Sequence, residues 1–165
     1  MKSLLLALPA AIAVSFVPAR AALPRACLAH DLVARAAFQG ATGADEGGIA
    51  LRNRSASACQ LAGRAIIDFV VGSSRLAVRN VVGKATNGTR RDRTILLAPG
   101  DRAFVHARWS NWCGVAYRRV AVRLWIQTTA PKVPVIGTVA SPRCDDPAAS
   151  SRVAVGPFER ARHYP

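Results

Sequence analysis

Histidine, methionine, lysine and acidic side chains are all scarce in this chain of 165 residues. The one methionine is the initiator, and the three histidines stand far apart at His30, His106 and His163. A copper site, which draws on both residue types, is therefore not expected. None of the four cysteines stands in a C-x-x-C pair, which argues against structural zinc, and no metal or cofactor is expected. No glycine-rich phosphate loop or dinucleotide fingerprint is present. Ser73, Ser110 and Ser141 lack the sharp elbow that holds a hydrolase nucleophile. Only nine carboxylates occur, and the adjacent pairs Asp45-Glu46 and Asp145-Asp146 read as solvated turns rather than a glycosidase pair. Beyond the first twenty-odd residues there is no apolar run long enough to span a bilayer.

What is present begins with a leader. A positive start at Lys2, an apolar run from Leu4 to Val17 and a small-x-small pattern ending at Ala21 predict a secretory signal peptide over 1–21. The remainder, 22–165, is of a size for one domain with a real core. All four cysteines lie in it, and an even number in an exported chain predicts two disulfides. Of the three possible pairings, Cys27–Cys59 and Cys113–Cys144 are favoured, because each joins the borders of one half.

The formal charge is +14, of which the leader carries Lys2 and Arg20. Lysine occurs only at positions 2, 84 and 132, so the excess is almost all arginine. Such a field attracts anions, and the expected partner is an anionic envelope polymer or an acidic protein. No specific nucleic acid is expected outside the cell.

Short apolar alternations recur along the chain. Leu32 to Phe38 reads as an edge strand, 40–48 as a glycine-rich loop, and Ile49 to Asn53 as a strand. Cys59 to Leu61, Ala65 to Val71 and Leu76 to Val82 follow as strands separated by turns at Gly63 and Gly72-Ser73. Thr86 to Arg93 is polar, with a turn at Asn87-Gly88. After Thr94 to Ala98, two clear period-two segments appear. In the first, Ala103, Val105, Ala107 and Trp109 share one face and Phe104, His106 and Arg108 the other. In the second, Val120, Val122, Leu124 and Ile126 share one face and Arg119, Ala121, Arg123 and Trp125 the other. Val135 to Ala140 reads as an edge strand behind Pro131 and Pro134, and Val153 to Val155 as the last strand, with a polar tail from Glu159. About eight strands and no amphipathic helix predict an all-β, antiparallel sandwich. Between the two clear alternations lies Trp109-Ser110-Asn111-Trp112-Cys113, a cross-linked corner with Trp109 directed into the core.

Several of these pieces resemble an uncharacterised family of secreted and lipoprotein domains common in actinobacteria. They are Ile49-x-Leu51-Arg52-Asn53, Cys59-x-Leu61-x-Gly63, Leu97-x-Pro99-Gly100, Trp109-x-Asn111-Trp112-Cys113, Arg143-Cys144 and Val153-x-Val155-x-Pro157-Phe158. The resemblance implies an immunoglobulin-like sandwich and an extracytoplasmic location. It implies no catalytic residues.

The candidate site residues are therefore arginines. Arg90, Arg91 and Arg93 cluster in the polar stretch. Arg108, with His106 beside it, and Arg119 and Arg123, with Trp125, would form one basic stripe if their strands pair, a platform for phosphate-bearing polymers. The favoured expectation is a non-enzymatic, monomeric binding module of the cell envelope. The alternative is a secreted hydrolase with its site assembled from His30, Asp31 and His106.

Overall fold

The computed structural model describes residues 24–126 and 132–161. The predicted leader, residues 162–165 of the predicted tail and Pro131 lie outside them, while Glu159 and Arg160 of that tail belong to the last strand. Among the described residues the chain is all-β. A single short 3-10 turn, Ala29–Asp31, precedes strands β1 (Leu32–Ala41), β2 (Ala44–Asn53), β3 (Cys59–Leu61) and β4 (Ile66–Val71). Then come β5 (Ser74–Arg75), β6 (Arg79–Val82), β7 (Ile95–Leu97), β8 (Arg102–Ser110), β9 (Val120–Trp125), β10 (Val133–Val139) and β11 (Arg152–Arg160).

Nine of these strands form one curled sheet in the order β5-β4-β9-β10-β1-β2-β8-β11-β6, and β3 and β7 pair separately. The alternating faces of β8 and β9 point as their pattern requires. Ala103, Val105, Ala107 and Trp109 are buried, as are Val120, Val122, Leu124 and Ile126. The Trp109 indole stacks on Phe69 of β4 with ring centroids 4.0 Å apart, so the curl brings distant parts of the sheet face to face across the core. Cys27–Cys59 and Cys113–Cys144 are both formed.

Not every pairing is antiparallel. β1 pairs with β10 and β11 with β6 in parallel. Each partner lies far along the chain from the other, and parallel neighbours need such long connections rather than a hairpin. The β1–β10 pairing also removes both expected edges, since β1 lies between β10 and β2, and β10 between β9 and β1. Pro134 is accommodated where the β10 ladder shifts register between Pro134 and Thr138. The far ends of the sheet are stitched by a side chain. The Asn80 amide in β6 donates to Ile67 O and accepts from Ile67 N in β4, both at 2.8 Å, reproducing a strand-to-strand bridge.

The glycine-rich segment 40–48 is not a loop. β1 and β2 pair through ten residues each, and the turn is confined to Thr42-Gly43. Glycine in β2 serves close approach instead: a Cβ on Gly48 would lie 2.6 Å from Phe104 Cζ, so the phenyl ring of Phe104 sits over Gly48 on the outer face of the sheet. Leu76 and Val78, expected in a strand with Val82, are buried but lie outside β6.

The Trp109–Cys113 corner is built around Asn111. Its backbone is left-handed (φ 59°), a conformation asparagine tolerates better than most residues. Its Nδ2 donates to Asp146 O at 2.8 Å and Ala149 O at 2.7 Å. Its Oδ1 accepts from Asp145 N at 3.0 Å and Asp146 N at 2.8 Å. One amide therefore holds the whole 145–149 turn beside the Cys113–Cys144 bridge. Trp112 is half-buried, edge-on to Trp109, with Nε1 donating to Val115 O at 2.8 Å.

Candidate functional site

Phe104 is an apolar side chain on the outward face of β8, yet it is buried. It lines a cleft together with the polar stretch between β6 and β7. The segment runs back over the outer face of β8 and β11 and encloses a cleft of about 850 Å³. Phe104 and Pro157 lie at the floor, with Ile95 and Leu96 at one side. Thr86, Asn87, Thr89, Arg91, Arg93 and Thr94 form the covering wall.

Close backbone approach seats this wall. Gly83 N donates to Val155 O at 2.8 Å, and a Cβ on Gly156 would lie 2.4 Å from Lys84 O. The turn predicted at Asn87-Gly88 is present, with Gly88 at φ 82° and its N–H on Ala85 O at 2.9 Å. Glu159 of β11 accepts from Thr86 N at 3.1 Å and Thr86 Oγ1 at 2.7 Å. Arg64, in the connection before β4, donates to Gly83 O at 3.1 Å and Val155 O at 2.9 Å. It also donates to Arg90 O, and its Nε lies 2.8 Å from Asp92 Oδ1. One guanidinium thus ties the wall to β11 at both of its ends.

The six arginines expected to bind anions fall in three places. Arg90, Arg91 and Arg93 lie on the wall, and Arg91 and Arg93 line the cleft. Among the described residues the guanidinium groups of these two make no hydrogen bond or ion pair. Arg108 sits on the outer face of β8, where Glu46 Oε2 at 3.2 Å and Thr42 O at 3.3 Å engage it. Arg119 precedes β9 and Arg123 lies within it. Their single stripe with Arg108 does not form, because β8 pairs with β2 and β11 while β9 pairs with β4 and β10. The indole expected to accompany them is tied to Asp68, the residue opposite Arg123 in the ladder. Trp125 Nε1 donates to Asp68 Oδ2 at 3.1 Å, and Arg75 holds Asp68 Oδ1 at 2.9 Å.

The histidines do not converge. His30 is exposed on the 3-10 turn before β1, and its Nε2 is 3.6 Å from Asp31 Oδ1. Asp31 is buried and held by Arg25 (Nη2–Oδ1 2.8 Å) and by Leu28 N at 2.7 Å. The Arg25 guanidinium, with the Leu28 amide, lowers the Asp31 carboxyl to about 2. His106 lies in the middle of β8, its Nε2 3.2 Å from Glu46 Oε1 and its Nδ1 3.2 Å from Lys84 O. By ladder register, β1 begins opposite Asn53 while His106 is opposite Gly48. Those five strand positions put His106 roughly 17 Å along the ladder from the start of β1, and His30 lies on the turn that precedes that start.

Arg64, Arg160 and the floor of the cleft were not legible as site residues. Arg160 donates to Leu96 O at 2.8 Å and lies 3.6 Å from Asp101, closing one end. The available signal was Phe104, an aromatic among polar neighbours on an outward strand face, which demands a cover. The sequence profile of a family described as a domain of unknown function (DUF4232) matches residues 27–159, nearly all of the described residues. No curated protein and no solved structure matches the chain.

Proposed function

We propose that this chain, which belongs to the DUF4232 family of domains of unknown function, is a non-enzymatic binding module of the cell envelope with an anionic partner. The observation that carries the reading is the pair Arg91 and Arg93. They line the large cleft with no acidic partner of their own, whereas Arg64 and Arg108 are consumed by ion pairs. Unneutralised guanidinium groups on a cleft wall are suited to carboxylate or phosphate. The leader pattern over 1–21 and two disulfides support an extracytoplasmic location. Among the described residues no helix is long and apolar enough to cross a membrane. The wide separation of His30 and His106 supports a binder over a hydrolase. We read the curled sheet as a modified immunoglobulin-like sandwich, with β5-β4-β9-β10 facing β1-β2-β8-β11-β6 and the parallel β1–β10 pair as one seam, and the working unit as a monomer.

The test is retention of the oxidised chain on immobilised anionic polymers, heparin and a phosphorylated wall polymer among them, across a salt gradient. Tight retention at low salt that falls steeply as salt rises is expected. Weak retention that ignores salt would overturn the reading.

A further inference from the structure

The cleft wall has a spacing as well as a charge. Arg91 and Arg93 are two residues apart, so in an extended segment both side chains leave the same side of the chain. The residues at 90 and 92 do not line the cleft. Asp92 is turned to Arg64 Nε at 2.8 Å, and the Arg90 carbonyl takes the same guanidinium. Arg64 therefore holds the chain at 90 and 92 to the domain, while Arg91 and Arg93, followed by Thr94, are presented to the cleft.

Six backbone bonds separate one α-carbon from the next but one, a span of roughly 7 Å in extended chain. Successive phosphorus atoms in a phosphodiester chain of three-carbon polyols are also six bonds apart, and the extended span is comparable. Resting on the anionic-partner reading, the geometry points to a linear three-carbon polyol phosphate polymer as the ligand. Arg91 and Arg93 would each take one of two consecutive phosphates through the planar fork of the guanidinium. The rest of the cleft suits the linking units. Thr94 and Asn87 offer hydroxyl and amide groups, and exposed Leu96 offers apolar surface to the methylenes. Glu159, the acidic residue of the lining, is turned to Thr86.

The test uses the full disulfide-bonded chain and soluble poly(glycerol phosphate), with affinity followed against salt. Replacing both arginines (R91Q/R93Q) is expected to weaken binding by about tenfold per arginine. It should also flatten the slope of log affinity on log salt by about 1.4, two phosphate contacts on a single chain. The R119Q/R123Q chain, which loses the same charge elsewhere, should bind within about twofold of the parent. Equal losses in the two variants would mean a diffuse field and overturn the site. Asp92→Asn separates the two further. It adds positive charge, so a diffuse field predicts tighter binding, while release of the Arg64 clamp predicts weaker binding. A polymer of five-carbon units should bind less well than the three-carbon chain, and equal affinity for both would overturn the spacing argument. Glycerol phosphate alone, offering one phosphate, should compete poorly. If no anionic polymer is retained at all, the broader reading fails as well. If polymers bind regardless of Arg91 and Arg93, only this inference fails.

Discussion

Replacing Asn111 tests whether a single side chain organises the Trp-rich corner. Its amide makes four hydrogen bonds to the backbone of residues 145, 146 and 149. Each such bond contributes about 0.5–1.5 kcal/mol, and the low end applies here because the turn itself is exposed and water can re-enter. Loss of the four is therefore worth about 2 kcal/mol. Asn111 also holds a left-handed backbone (φ 59°), which alanine occupies at a cost of about 1–2 kcal/mol. Asn111→Ala should thus destabilise by about 3 kcal/mol. Asn111→Gly loses the same hydrogen bonds but not the backbone tolerance. It should be roughly 0.5–1 kcal/mol better than alanine, the left-handed penalty less the extra chain entropy of glycine. With a urea dependence of about 2 kcal/mol/M, the alanine midpoint should fall by about 1.5 M and the glycine midpoint by slightly more than 1 M. Equilibrium urea unfolding of the oxidised protein measures both. A glycine variant no better than alanine would refute the backbone argument. Shifts below about 0.25 M in both would refute the network.

Three further outcomes follow from other buried polar groups. Asp31 has its carboxyl lowered to about 2 by Arg25, from 3.8, so its ion pair stabilises fully above about pH 4 and is lost as pH falls through 2. Acid unfolding of Arg25→Gln should lack this dependence between those limits while retaining the rest of the acid transition. Asp45 is buried with Oδ2 unpartnered, and desolvation raises its carboxyl. Its contribution is therefore most favourable below the unfolded carboxylate range and is lost as pH rises, so Asp45→Asn should raise the melting temperature at pH 7 more than at pH 3. Asn80→Ala frees the N–H and C=O of fully buried Ile67, and urea unfolding should show a loss of roughly 3 kcal/mol.

Much of the fold was legible because strand alternation is a local property. The two faces of β8 and β9 follow from period two, and the placement of Trp109 in the core follows with them. Cysteine spacing sufficed for both disulfides. Glycine misled at 40–48, where it marks close contact between paired strands rather than a loop, a distinction that depends on the neighbour and not on the segment. The candidate arginines were visible as residues, but not which of them would remain free.

From sequence alone come the all-β class, the cross-links, the inward faces and the positive charge, since each depends on residues close together in the chain or on simple counts. Only tertiary structure decided which strands are neighbours. That choice separates Arg108 from Arg119 and Arg123, joins β1 to β10 in parallel, and lets Asn80 close the sheet onto Ile67. It also brings the polar segment and Phe104 to one cleft and turns Arg64 into the clamp that leaves Arg91 and Arg93 facing it. Pairing of this kind is settled by the global order of the sheet, through contacts between residues far apart in sequence, and no local pattern encodes it.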